Sequence, residues 1–401
     1  MKLGSLFDGS GGFGLAGSLC GIEPVWASEV EPYPIAVTRS RFPHMTHLGS
    51  VTEINGAEIE PVDVITFGSP CQDMSVAGKR AGLKHENNGD DETTRSGLFM
   101  EAVRIIKEMR CTTNGNYPTY ALWENVPGAF SSNGGEDFRT VLEELARVSE
   151  PEVSIPRSAK WQNAGEILGD GWSIAWRVFD AQHWGVPQRR RRINLVADFA
   201  GGRAGKVLFE REGLRGHSAE SGAAREGTAG DAENCSGTAD CKGVGFDGYN
   251  GDLTGDAPIA IDRAFFNQGQ NALYDSQLYE DGSNPTLVTR GPNAVCIRYI
   301  VRRLTLTECA RLQGFPDTWG HPDHKEDLTD EEYDFWLDVR NTHAAINGKA
   351  TKKHTKEQML SWYNKLHTDS SEYKMWGNGI ALPTALYVVQ GIAEALEEDR
   401  G

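Results

Sequence analysis

Short apolar runs rich in β-branched residues alternate with amphipathic stretches through the first half of the chain. That alternation predicts a doubly wound α/β fold with a mostly parallel sheet. Strands are predicted at residues 2–7, 24–28, 62–67, 119–123, 172–179 and 192–197, with a short one near His47-Leu48. Apolar positions recur at helical spacing over 33–42, 100–107 and 138–148. A capped helix is predicted over 304–316, opened by Thr305 or Thr307 and closed by Gly314 and Pro316. Another runs over 383–396, where Pro383 suits the first turn. Between 201 and 256 large apolar residues are few, which predicts flexible loop rather than core. Order resumes over 259–263 and 284–289, and 327–367 is charged and helical in pattern.

Composition narrows the class. The 401 residues are enough for one large domain or two smaller ones. No apolar run is long enough to span a bilayer, and the first residues lack a signal-peptide core, so a cytoplasmic protein without membrane contact is expected. The seven cysteines are scattered, which argues against a disulfide framework. Cys235 and Cys241 alone lie close together, at a spacing that does not suit zinc, so no metal site is expected. A formal charge of −17 excludes polyanion binding driven by overall charge. It leaves room for local basic patches, and Arg189-Arg190-Arg191-Arg192 is one.

The candidate chemistry sits at strand ends. After the first strand, Gly9, Gly11 and Gly14 satisfy the spacing of a glycine-rich turn that opens a helix and lets backbone approach a ligand. Glu29 ends the second strand about 20 residues later, where an acid binds a ribose diol. This pair describes a nucleoside-binding unit and does not separate a dinucleotide from S-adenosylmethionine. Gly68-Ser69-Pro70-Cys71-Gln72 ends the strand at 62–67, followed by the basic segment Lys79-Arg80-Ala81-Gly82-Leu83-Lys84. A cysteine on a strand tip near positive charge has the setting of a reactive thiolate, although a lone cysteine is more often structural. Glu124-Asn125-Val126-Pro127 ends the strand at 119–123, and an isolated acid there is ordinarily a helix-start or loop charge.

Taken in order, Phe7-Asp8-Gly9-Ser10-Gly11-Gly12-Phe13, Pro70-Cys71-Gln72, Glu124-Asn125-Val126, Gln188-Arg189-Arg190-Arg191-Arg192, the 303–316 segment and Gly377-Asn378-Gly379-Ile380-Ala381 resemble the DNA cytosine-5 methyltransferases. The resemblance covers residues 1–198 and the last 30 or so, and weakens over 200–298. It implies a Rossmann-like class I methyltransferase domain with a small inserted target-recognition domain, S-adenosylmethionine as cofactor and double-stranded DNA as partner. Cys71 would be the nucleophile on cytosine carbon-6, Glu124 would hold N3 and the exocyclic amine, and Arg190 and Arg192 would contact the base and brace the catalytic loop. Phe7, Gly9, Ser10, Gly12, Glu29, Ser50, Val51, Leu98 and Asn378 would line the cofactor site. The loop over 72–88 would close on a flipped cytosine.

Two departures from the family pattern stand out: Ser50 where an acid is usual, and Val30 where an aromatic often follows the ribose-binding acid. The catalytic domain is expected over 1–198 plus 373–401, and the recognition domain over 199–372 with a helical insertion at 327–367. Base-reading candidates by side-chain type are Arg263, Asn267, Gln268 and Arg290. Lys349, Lys352 and Lys353 either extend the DNA cleft or belong to a solvated helical pair. The resemblance implies a monomer and leaves open a cognate restriction endonuclease. A tRNA cytosine methyltransferase is the nearest alternative. An NAD-dependent oxidoreductase leaves Cys71 and Glu124 unexplained, and a catalytically silent homologue would have no use for Cys71, Glu124 and both arginines.

Overall fold

The computed structural model describes residues 1–69, 97–158, 160–209, 259–261, 278–279, 283–287, 293–297 and 300–398. Cys71, the 72–88 loop, Cys235, Cys241, Arg263, Asn267, Gln268 and Arg290 lie outside the described residues.

An eight-stranded sheet forms the centre. Its strands are β1 (Lys2–Leu6), β2 (Glu23–Ser28), β3 (Thr46–His47), β4 (Val64–Phe67), β5 (Tyr120–Asn125), β6 (Ala164–Leu168), β7 (Ser173–Asp180) and β9 (Arg191–Asp198). Their order is β3-β2-β1-β4-β5-β9-β7-β6. The first five run parallel, and β5–β9, β9–β7 and β7–β6 pair antiparallel. The chain steps outward from β1 to β3, then returns to β4 on the other side of β1. That reversal opens a crevice beyond the carboxyl ends of β1 and β4, where open α/β sheets bind ligands.

Two cores, one on each face, hold the sheet. Along β5, Tyr120 and Leu122 join one core while Ala121 and Trp123 join the other, the period of two that a strand imposes. Helix α1 (Gly12–Leu19) packs against α10 (Leu382–Glu398) on the first face. Helix α3 (Leu98–Thr112) turns Phe99, Ala102, Val103, Ile105, Ile106 and Met109 into the second. Truncating a fully buried residue such as Ile105 to Ala would cost about 2–5 kcal/mol.

The remaining helices are α2 (Pro32–Arg41), α4 (Glu136–Ala146), α5 (Ala204–Phe209), α6 (Leu306–Leu312), α7 (Asp330–Ile346), α8 (Lys356–Tyr363) and α9 (Asp369–Asn378). Thr305 caps α6, and Gly314, at φ +79°, follows its end. Capping boxes also open α7, α8 and α9 at Thr329, Thr355 and Thr368. Helices α7 and α8 bury Trp336, Val339, Met359 and Tyr363 against Ile35 and Ala36 of α2. A second sheet orders β10 (Ile259–Ile261), β11 (Leu278–Tyr279), β13 (Ala294–Ile297) and β14 (Ile300–Arg303) as β11-β10-β13-β14, all antiparallel. Strand β12 (Asn284–Pro285) pairs parallel with β8 (Gln188–Arg189). Among the described residues no single helix is long and apolar enough to cross a membrane.

Two expectations need correcting. The first strand stops at Leu6, because Phe7 takes the left-handed region at φ +56° and starts the turn. The loop expected from residue 201 begins instead with helix α5, whose Ala204, Val207 and Leu208 are buried; small residues can fill a core position without an apolar run. The first three residues of the 376–381 segment close helix α9.

Candidate active site

The glycine turn after β1 is tight because it has neighbours on every side. Gly9 and Gly11 sit at φ +56° and +73°, which glycine adopts without strain. A Cβ on Gly12 would lie 2.6 Å from Ile380 Cγ1, and one on Gly379 would lie 3.1 Å from Ser10 Oγ. The C-terminal motif therefore presses on the glycine turn, and Trp319 Nε1 donates to the Ser10 carbonyl at 2.7 Å. Asn378, the last residue of α9, is exposed beside this contact.

Glu29 faces the same turn. One carboxylate oxygen accepts the Gly9 N–H at 2.8 Å, and the other accepts those of Val30 and Glu31 at 2.7 and 2.9 Å. Desolvation raises its pKa, and the three backbone donors oppose that rise. Phe7, Val51 and Leu98 all join the second core, Val51 buried in it and Phe7 and Leu98 packed against it. Ser50 is turned to its own loop, where its hydroxyl meets Thr52 Oγ1 at 2.8 Å.

Asp8 was not a candidate in the sequence, although it lies inside the motif. It is 7% exposed, and its carboxylate meets no donor at good hydrogen-bond geometry among the described residues, the nearby Ser5 hydroxyl offering only a partial one. Burial, with Glu29 adding to it, pushes its pKa up to about 7. No local sequence signal marks it, since Ser5 and Ser10 flank it and its burial is set by the fold.

On the other side of the switch, β4 and β5 end together. Asn125 Nδ2 donates to the Ser69 carbonyl and Trp123 Nε1 to the Ser69 hydroxyl, both at 3.1 Å. These bonds fix the last described residue before Pro70-Cys71. A Cβ on Gly68 would lie in ordinary contact with Glu124 Oε2, at 3.6 Å, so the two strand tips are adjacent. Arg192 Nε stands 3.1 Å from Glu124 Oε1, an ion pair whose angle is not that of a hydrogen bond. Both side chains are largely buried, at 17% and 14% exposure.

The two arginines of the basic run part company. Arg192, on β9, meets Glu124. Arg190 is buried and donates to the Gly377 and Gly379 carbonyls, so it braces the C-terminal motif. Around it, β8 is clasped by β12, with Asn293 donating to Asn284 Oδ1 at 2.9 Å and Thr286 to the Arg189 carbonyl at 2.6 Å.

A family model described as C-5 cytosine-specific DNA methylase matches residues 1–151 and 246–332, more than half of the chain. The chain belongs to that family. A protein of Escherichia phage P1 named DNA N-6-adenine-methyltransferase is 28% identical over 485 aligned positions, covering 98% of this chain and 61% of that protein. The Type II methyltransferase M.BsuFI of Bacillus subtilis is 30% identical over 191 positions, covering 48% of this chain and 37% of its own length. M1.ScrFI of Lactococcus lactis subsp. cremoris is 25% identical over 415 positions, covering 100% and 79%. The chain thus spans less than two thirds of the first two. The crystal structure of Dnmt2 methyltransferase from S. pombe superposes with a TM-score of 0.54 at 15% identity, covering 99% of each chain. That likeness shows the α/β Rossmann-like methyltransferase fold.

In this family member the basic helical insertion packs on α2 rather than beside Glu124. Lys349 and Lys352 line a cavity of about 770 Å³ with Glu31, Tyr33, Arg340, His354 and Trp362. It opens over α2, on the side of the sheet where β2 and β3 lie, away from β5.

Proposed function

We propose that this chain transfers a methyl group from S-adenosylmethionine to carbon-5 of a cytosine in duplex DNA. The observation that carries the reading is the Glu124–Arg192 pair at the tip of β5, next to the end of the strand that leads to Cys71. The glycine turn and Glu29 occupy the other half of the same crevice.

The residues suit the cofactor. S-adenosylmethionine carries a cationic sulfonium and an ammonium, and when bound it supplies an electrophilic methyl carbon. The buried Asp8 carboxylate, with no cation beside it among the described residues and only the Ser5 hydroxyl opposing its burial, is what a cationic ligand would satisfy. Glu29 would accept from the ribose hydroxyls, and Phe7, Val51 and Leu98 would flank the adenine. Ser10, Gly9 and Gly12 would hold the chain of the turn close to the ligand, and Asn378 would close it from the C-terminal side. No acid stands at Ser50 to meet the adenine amine.

Carbon-5 of cytosine is a poor nucleophile. The Cys71 thiolate would add to carbon-6, moving electron density to carbon-5, while Glu124 donates to or shares a proton with N3 and accepts from the exocyclic amine. Arg192, permanently charged and planar, would hold Glu124 and face the base. After loss of the carbon-5 proton, the Cys71 sulfur leaves by elimination. A stacked base offers none of these atoms, so the cytosine is flipped into the crevice.

The phage P1 relative's printed name gives a second reading, transfer to adenine N6. An exocyclic amine needs no thiolate, and 39% of that protein lies beyond the match, so the named activity can belong there. The test is direct: DNA incubated with the protein and labelled cofactor is digested to nucleosides. Label in 5-methyldeoxycytidine supports the proposal; label in N6-methyldeoxyadenosine, or in tRNA alone, sinks it.

A further inference from the structure

The strongest unassigned cluster lies on the far side of helix α9 from Asn378. His321, His367 and Glu372 each offer a ligand atom, and these atoms lie within 4.8 Å of one another. They come from three segments with no sequence signature: a loop after α6, the link between α8 and α9, and the first turn of α9. We propose that His321, His367 and Glu372 form a binding site for a divalent transition metal, Zn²⁺ by ligand type. This inference is independent of the methyl-transfer reading.

The chemistry of the donor set fits. Two imidazoles and one carboxylate, with a water in the fourth position, is a common zinc set. Glu372 is 1% exposed, a buried anion in the first turn of its helix. The imidazoles face outward: His321 is exposed and His367 keeps 37% of its side-chain surface. An ion can therefore reach the buried carboxylate, and a water can complete its shell.

The backbone that carries the ligands is already fixed. Tyr33 donates to the Gly320 carbonyl, and Arg41 donates to those of Trp319 and His321 at 3.1 and 2.9 Å. The His367 ring stacks on Tyr33 with centroids 5.7 Å apart and lies 5.1 Å from the His321 ring. Trp376 Nε1 donates to Glu372 Oε1 at 3.1 Å, the outer-shell contact that orients a ligating carboxylate.

The plainer alternative is an ion pair, since His367 Nε2 lies 2.7 Å from Glu372 Oε2. Metal bonds of about 2.0–2.1 Å at tetrahedral angles place ligand atoms roughly 3.3 Å apart. That contact would open by about half an ångström, which a half-exposed imidazole permits. His321 separates the readings: it is essential to a metal site and takes no part in the Glu372–His367 pair.

The full chain, stripped with a chelator, is titrated with Co²⁺ alone as a spectroscopic stand-in for Zn²⁺. One ion per chain should bind with visible bands of a low-coordinate nitrogen–oxygen site and no thiolate charge-transfer band. His321→Ala and His367→Ala should each weaken binding about 100-fold or more, and Zn²⁺ should raise the melting temperature of the wild type but not of His321→Ala. A wild type that binds no ion, a thiolate band, or unchanged affinity in His321→Ala would each overturn the proposal.

Discussion

The Asn125 side-chain amide donates to the Ser69 carbonyl at 3.1 Å, joining the tips of β5 and β4 inside the buried crevice. Each strand ends in a candidate catalytic residue, Glu124 on one and the approach to Cys71 on the other. The amide ties Ser69, the residue before Pro70-Cys71, to the strand that carries Glu124. Asn125→Ala should therefore slow single-turnover methylation by about 10–100-fold while DNA affinity changes little. A variant with wild-type turnover would show that the bond does not position the site.

Removing the nucleophile and the carboxylate tests the chemistry itself. Cys71→Ser should abolish methylation and keep DNA binding, and Glu124→Gln should cut the rate by orders of magnitude. Arg192→Lys keeps the charge and loses the planar fork, so it should also fail to restore full rate. Full turnover by Cys71→Ser would remove the nucleophile assignment.

Asp8 gives a pH signature with a definite sign. Its folded pKa is raised to about 7 from an ordinary 3.8, so between those values the folded state holds a proton that the unfolded state has lost. Stability without cofactor should thus fall as pH rises from about 4 to 7. Asp8→Asn should be more stable than wild type above pH 7, by on the order of a few kcal/mol, and the gain should vanish near pH 4. The same variant should bind S-adenosylmethionine more weakly if Asp8 meets its cationic groups. Melting curves across pH and calorimetric titration read the two effects separately; a pH-independent stability difference would reject the raised pKa.

His47 acts in the opposite direction. Burial, with Arg39 adding to it, lowers its pKa to about 3, so the folded state resists a proton that the unfolded state takes up below about 6.5. Stability from this group should be lost progressively as pH falls from about 6.5 toward 3. His47→Gln should flatten that limb of the curve, and an unchanged acid limb would contradict it.

The insertion lysines test where DNA lies. Their cavity opens over α2 beside Glu31, with β2 and β1 between it and the β4 and β5 tips. Lys349→Ala with Lys352→Ala should leave the salt slope of DNA binding unchanged. A slope smaller by about one per lysine would place the phosphate backbone on the insertion.

Strand ends and glycines could be read from the chain because they depend on local rules. A β-branched run must stop at Gly68, a turn at Gly9 and Gly11 needs left-handed backbone, and Thr305 caps the helix it precedes. The order of the family motifs was equally a property of the linear chain. Strand β6 was not visible, since this edge strand shows no deeply buried alternation, and helix α5 hides in small residues. What only the folded chain decided is which charged groups meet. Arg190 and Arg192 are two residues apart, yet one seizes Gly379 and the other Glu124, because Arg190 lies in the break between β8 and β9 while Arg192 is inside β9, which pairs with β5, so the two do not share a strand face. Asp8 lost its solvent and His321 gained Glu372 for the same reason: burial and proximity across tens or hundreds of residues are set by packing, which no local pattern encodes.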